Sequence, residues 1–116
     1  MERAGLATHD TVEAVDAVHL SLLVAGDRTS IQGFEIEPGA TVPRHSHPHE
    51  QAGFIHEGEF TFLVGDGDDP EELVLGPGDA YVIPGDEPHA AENRGDERVT
   101  GIDVFSPPRT DPDWAD

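Results

Sequence analysis

The sequence predicts an all-β sandwich or barrel, and three observations carry that expectation. Apolar residues fall in short runs of strand length, Gly and Pro punctuate those runs at spacings of about 8–12 residues, and no stretch requires a helix of three turns. At 116 residues the chain fits one domain, 1–116, with one core.

Residues 1–10 are polar and expected to fray. From Val12 to Val24 the chain is apolar-rich and β-branched. A helical turn fits Ala14-Val15-Asp16-Ala17-Val18, but the Ala25-Gly26-Asp27-Arg28 turn that follows favours a strand pair. Ser30 to Ile36 alternates, with Phe34 and Ile36 on one face. Glu37-Pro38-Gly39-Ala40 has the type II order of Pro then Gly. His45 to His47 opens a strand that Gly53-Phe54-Ile55-His56 continues, and Gly58 starts a turn. Glu59 to Val64 is the clearest strand, followed by an acidic loop, Gly65 to Pro70. Leu73-Val74-Leu75 is short, Gly76-Pro77-Gly78-Asp79 turns, and Ala80-Tyr81-Val82-Ile83 reads as a strand buried on both faces. After the Pro84 to Pro88 turn, His89, Ala91 and Asn93 share a face. Arg98 to Phe105 is the last strand. The tail, 106–116, is irregular because its prolines remove donors and fix φ, and Trp114 is expected to pack it down or to stand exposed.

Composition excludes several functions. There are 25 Asp plus Glu against six Arg and no Lys, a formal net charge of −19. Such a surface repels nucleic acid and anionic lipid, so neither is an expected partner. No apolar run of about 18 residues exists to span a membrane. Met1-Glu2-Arg3-Ala4-Gly5 is not followed by an apolar stretch, which speaks against a secretory signal and for a cytoplasmic protein. With no cysteine there is no disulfide, thiolate ligand or thiol nucleophile. The acidic excess without lysine reads as adaptation to a high-salt cytoplasm.

Chemistry concentrates in Pro43-Arg44-His45-Ser46-His47-Pro48-His49-Glu50-Gln51, which holds three of the seven histidines. Strand alternation would put His45, His47 and Gln51 on one side and Glu50 on the other. Imidazole is a common ligand of Zn, Ni, Cu and Fe, and His89 is the obvious further donor. A solvated loop is the plain alternative. A second signal is Asp103 in Val99-Thr100-Gly101-Ile102-Asp103-Val104-Phe105, where both faces are apolar. A carboxylate there is costly unless paired or used, and a salt bridge to Arg94, Arg98 or Arg109 would explain it without chemistry.

Two blocks now stand out. One runs from Gly39 through His45, His47 and Gln51 to Gly58, the other from Gly78 through Pro84 and His89 to Asn93. Together they resemble the two signature motifs of the cupins, small double-stranded β-helix (jelly-roll) barrels, over nearly the whole chain. The resemblance implies that His45, His47, Gln51 and His89 hold one divalent metal, with Ni, Zn, Fe and Mn all compatible with the donor set. It also implies a homodimer. The family's first-motif glutamate is Gln51 here, and its second-motif glycine is Asp86, with Gly85 beside it. Three imidazoles and an amide leave the ion's double charge uncompensated, which favours Lewis-acid work over iron redox chemistry. Asp103-Val104-Phe105-Ser106-Pro107-Pro108-Arg109 further resembles the KdgF-like cupins of pectin and alginate breakdown, which linearise 4,5-unsaturated uronates. That likeness implies an anionic sugar substrate, with Asp103, Phe105 and Arg109 lining the active site. A metal-dependent dioxygenase and a non-catalytic sugar- or metabolite-binding cupin are the rival readings.

Overall fold

The computed structural model describes residues 1–6 and 10–110, and within them ten strands and no helix. In order these are β1 (Val12–Val15), β2 (Val18–Ala25), β3 (Ser30–Ile36), β4 (Thr41–His45), β5 (Glu50–Glu57), β6 (Phe60–Val64), β7 (Glu71–Leu75), β8 (Ala80–Ile83), β9 (His89–Glu92) and β10 (Val99–Ser106). One sheet runs β1-β2-β3-β10-β5-β8 and the other β4-β9-β6-β7, every pairing antiparallel. Two facing sheets whose spatial neighbours are distant in sequence make a jelly roll. Alternation sends Phe34 and Ile36 of β3, Ile55 of β5, Phe60 and Phe62 of β6 and Val99 of β10 into the space between them. No helix among the described residues is long and apolar enough to cross a membrane.

The turn after β3 follows the expected type II geometry: Gly39 has φ +83° and the Ala40 amide donates to the Glu37 carbonyl at 3.1 Å. The apolar segment from Val12 to Val24 is a strand pair that turns at Asp16-Ala17. Three expectations need correction or limitation. β8 is not buried on both faces: it is the sheet edge, and Val82 is 63 % exposed. Residues 45–47 do not open a strand. His45 ends β4, residues 46–49 leave strand geometry, and β5 begins at Glu50. Pro48, which cannot donate to a ladder, lies in the break. Trp114 lies outside the described residues.

Candidate metal centre

The three histidines reach one point by three routes. β4 carries one extra residue between Val42 and His45 relative to β9, a bulge that contains Pro43 and turns His45 inward, opposite His89. The two rings lie 4.3 Å apart between centroids. His47 comes in from the loop, its ring 5.6 Å from that of His45 and 5.2 Å from that of His89. The potential ligand atoms of the three lie within 4.8 Å of one another. Gln51, the second residue of β5, brings its Oε1 to 3.1 Å from His47 Nε2. The sheet of β5 and β10 thus supplies Gln51, and the sheet of β4 and β9 supplies His45 and His89.

Each ring is oriented by its other nitrogen. Nδ1 of His45 donates to the Pro43 carbonyl at 2.9 Å, that of His47 to the His49 carbonyl at 3.1 Å, and that of His89 to the Glu87 carbonyl at 2.8 Å. A carbonyl only accepts, so these partners assign the proton to Nδ1 and leave Nε2 as a bare lone pair. His89 Nε2 is buried with no hydrogen-bond partner. Burial lowers the His89 imidazole to about 4, and burial, then the charge of Arg109, lowers that of His47. The amide of Gln51 bonds Asp103, which needs the NH₂ as donor and turns Oε1 toward His47. Neutral lone pairs from His47, His89 and Gln51 therefore face one another in a buried place, an arrangement a divalent cation reconciles. The donor set fits a transition metal: His45, His47 and His89 form a group able to hold one, with Gln51 beside them.

Beside it lies a cavity of about 330 Å³, lined among others by His45, His89, Gln51, Asp103, Phe105 and Arg109. Asp103, on the inward face of β10, is 5 % exposed. Burial pushes its carboxyl up to about 6, against the opposing pull of hydrogen bonds from Tyr81 and Gln51 and the charge of Arg109. The Tyr81 hydroxyl donates a short bond to Asp103 Oδ1. Arg94 instead pairs with Glu72 and Glu92, and Arg98 with Glu35. The Arg109 guanidinium sits 5.4 Å above the Phe105 ring, and the Arg109 backbone amide donates to Ser30 Oγ at 2.9 Å, which holds residue 109 against β3 beside the cavity. Phe105 itself is buried against His47 and His49.

His49 therefore stands behind His47, Glu50 points to solvent, and His56 is exposed. Asn93 is a structural brace: its amide nitrogen donates to the carbonyls of Ile36 and Glu97 and its oxygen accepts from the Gly95 amide. Tyr81 is the group that reading the sequence missed. The sequence places it only as a strand residue, because the register that brings β8 within reach of β10 across β5 is a long-range fact.

The chain matches the Cupin domain family over residues 33–105. Among solved structures it resembles KdgF from Halomonas sp., with a TM-score of 0.83 and 25 % identity over 96 % of this chain and 97 % of that one. The polyketide cyclase RemF from Streptomyces resistomycificus shares the fold, with a TM-score of 0.78 and 24 % identity over 91 % of this chain and 79 % of that one. Among curated proteins it is 31 % identical to the H2HPP isomerase of Bacillus subtilis over 81 residues, 70 % of this chain. Those residues span about a third, 33 %, of that relative's length.

Proposed function

The chain belongs to the cupin family, and from that premise we propose that it is a metal-dependent enzyme that opens the ring of a 4,5-unsaturated uronate to its linear keto form. The observation that carries the proposal is the shared cavity: two of the three clustered imidazoles, His45 and His89, the buried Asp103 carboxylate and the Arg109 guanidinium all line it. The likeness to KdgF and the Asp103 to Arg109 stretch support the choice of substrate.

A bound divalent ion would supply Lewis acidity toward a developing oxyanion. The rest falls to the chain's own groups. Asp103 takes the proton of the anomeric hydroxyl as the bond from the anomeric carbon to the ring oxygen breaks. The bond's electrons leave on the ring oxygen as an enolate, which ketonises when Asp103 returns that proton to the vinyl carbon, so the reaction is an isomerisation that needs no oxidant. A carboxyl raised to about 6 can serve as both base and acid near neutrality. Arg109 clamps the substrate carboxylate as a two-pronged donor, and Phe105 walls the sugar ring. The enzyme works as a homodimer in this proposal. Val12 and Val15, exposed on the edge strand β1, support that, and a monomer mass by light scattering at high salt would reject it.

The test is an assay on the products of a pectate or alginate lyase, with the protein's metal content measured alongside. The expected result is metal-dependent loss of the ultraviolet absorbance of the conjugated double bond. No loss with fully metal-loaded protein would overturn the substrate.

A second reading is favoured by the cavity's other wall, formed by Val18, Phe34, Ile36, Phe60 and Phe62, which offers no partner to a sugar hydroxyl. An unpaired hydroxyl buried there costs roughly 1–3 kcal/mol. The same proton transfer then acts on a less hydroxylated oxo acid, in keeping with relatives named as an isomerase and a polyketide cyclase. Turnover of an enolisable aryl oxo acid in preference to the unsaturated uronate would select it.

A further inference from the structure

Across the larger sheet, register places four residues of successive strands in one row: Gln32 of β3, Asp103 of β10, Gly53 of β5 and Tyr81 of β8. Asp103 and Tyr81 are separated by a whole strand, and the residue between them has no side chain. A Cβ built on Gly53 would collide with the Cζ and hydroxyl oxygen of Tyr81 and lie only 2.6 Å from Asp103 Oδ1. The phenol thus occupies the space a side chain at residue 53 would take. Glycine weakens a strand interior, and this one marks a close approach of neighbouring groups. Through the gap the Tyr81 hydroxyl passes over β5 and donates to Asp103 Oδ1, while the ring packs on Phe62 at 4.7 Å.

We infer that Tyr81 is a positioning residue for Asp103, that it acts through the gap at Gly53, and that it fixes the direction in which the carboxylate meets a substrate. The inference rests on the proposed proton transfer by Asp103 for its kinetic consequence, though not for the contact itself. A carboxylate free to turn about its last bond presents its lone pairs in many directions. One oxygen held by the phenol, with the Gln51 amide alongside, leaves a single orientation. Misplacement of a reacting group by about 1 Å can cost roughly a hundredfold in rate.

Tyr81 is the chain's sole tyrosine, so its Raman Fermi doublet reports one phenol without interference. In the metal-loaded unsubstituted protein the doublet should be that of a strong donor. Gly53→Ala should shift it to that of a displaced phenol. Kinetically, Tyr81→Phe keeps the ring in the gap and deletes only the donor, so kcat should fall about tenfold to a hundredfold with KM and metal content unchanged. Gly53→Ala, whose Cβ also crowds Asp103 Oδ1, should fall at least as far, and the double variant should be no slower than Gly53→Ala alone, because the contact that Tyr81→Phe removes is already broken there. Additive losses, or parental kcat in a folded Tyr81→Phe, would overturn the inference, as would a parental doublet that shows no donation. An unsubstituted protein inert on the unsaturated uronate would sink the substrate proposal instead. The Raman measurement needs no substrate, and its outcome would still uphold or overturn the contact.

Discussion

Asp103 bears its charge where burial opposes it, and the residues around it show why the position tolerates a carboxylate. Tyr81 and Gln51 bond it and Arg109 adds favourable charge, yet burial still dominates and holds the carboxyl near 6. Asp103→Asn keeps the shape and removes the basic site, so turnover should drop by about 10²–10⁴ with metal content unchanged. Stability should hold or rise, since a buried amide costs less than a buried carboxylate. A destabilised Asn variant that keeps its activity would return Asp103 to a purely structural role. The pH dependence of stability in chelator-treated protein tests the same residue from another side. For Asp103 the folded value of about 6 lies above the ordinary 3.8, so its contribution is lost as pH rises through 6 and regained as pH falls toward 3.8. For His89 the folded value of about 4 lies below the ordinary 6.5, so its contribution is present above 6.5 and lost as pH falls toward 4. Between 6 and 4 the two oppose each other. Removing Asp103 should therefore steepen the acid loss of stability, by up to about 1.4 kcal/mol per pH unit. Equal slopes in denaturant titrations of parent and Asn variant would refute this.

At the scale of elements, the histidine loop is held by the turn between β8 and β9. The Asp86 amide donates to the His47 carbonyl at 2.7 Å, and Asp86, at φ +66°, takes the left-handed conformation that the family's glycine would adopt without strain. Gly85 packs so closely that a Cβ there would lie 2.5 Å from the Pro48 carbonyl oxygen, a backbone atom that only a loop shift can move. Gly85→Ala should therefore weaken metal binding by roughly 10–100-fold without altering a ligand, and His47→Ala should leave the metal substoichiometric. Competition titration against a chelator measures both, and parental affinity in Gly85→Ala would show that the turn does not position the loop. The strands were largely legible in the sequence because alternation and Gly/Pro punctuation are local signals. His45, His47 and Gln51 do converge, but alternation along one strand is not the cause. A bulge at Pro43 and a break at Pro48 turn them together, and neither can be placed before the pairing of β4 with β9 is known. Tyr81 and Gly53 were invisible for the same reason: their meaning lies in a register across three strands.

For the whole molecule, charge was the most legible property and packing the least. The acids outnumber the arginines by 19, so most carboxylates have no arginine to pair with. The ion pairs of Arg94 and Arg98 lie on exposed or partly exposed side chains and add little. What remains is mutual repulsion over a body with a radius of gyration of 13.5 Å. At about 0.01 M salt the screening length is roughly 30 Å, longer than that radius, and every carboxylate feels most of the others; at about 1 M it is roughly 3 Å and only neighbours interact. Repulsion acts more strongly on the compact chain than on the expanded one, so low salt should favour unfolding. We predict a melting temperature that climbs with potassium chloride well beyond about 0.15 M, and at least partial unfolding on dialysis to very low salt. Screening depends on ionic strength, so sodium perchlorate at equal low concentration should stabilise almost as well as the chloride, whereas strengthened hydrophobic burial would favour sulfate. The loop after β6 offers a direct control, since Asp66, Asp68 and Asp69 lie together there around the Gly67 carbonyl, with Arg44 alone donating into the loop among the hydrogen bonds of the described residues. Replacing all three by Asn takes the net charge from −19 to −16, which should raise the low-salt melting temperature and flatten its salt dependence. A chain that stays fully folded at very low salt, with a melting temperature indifferent to both salt and the triple substitution, would show that repulsion does not limit this fold.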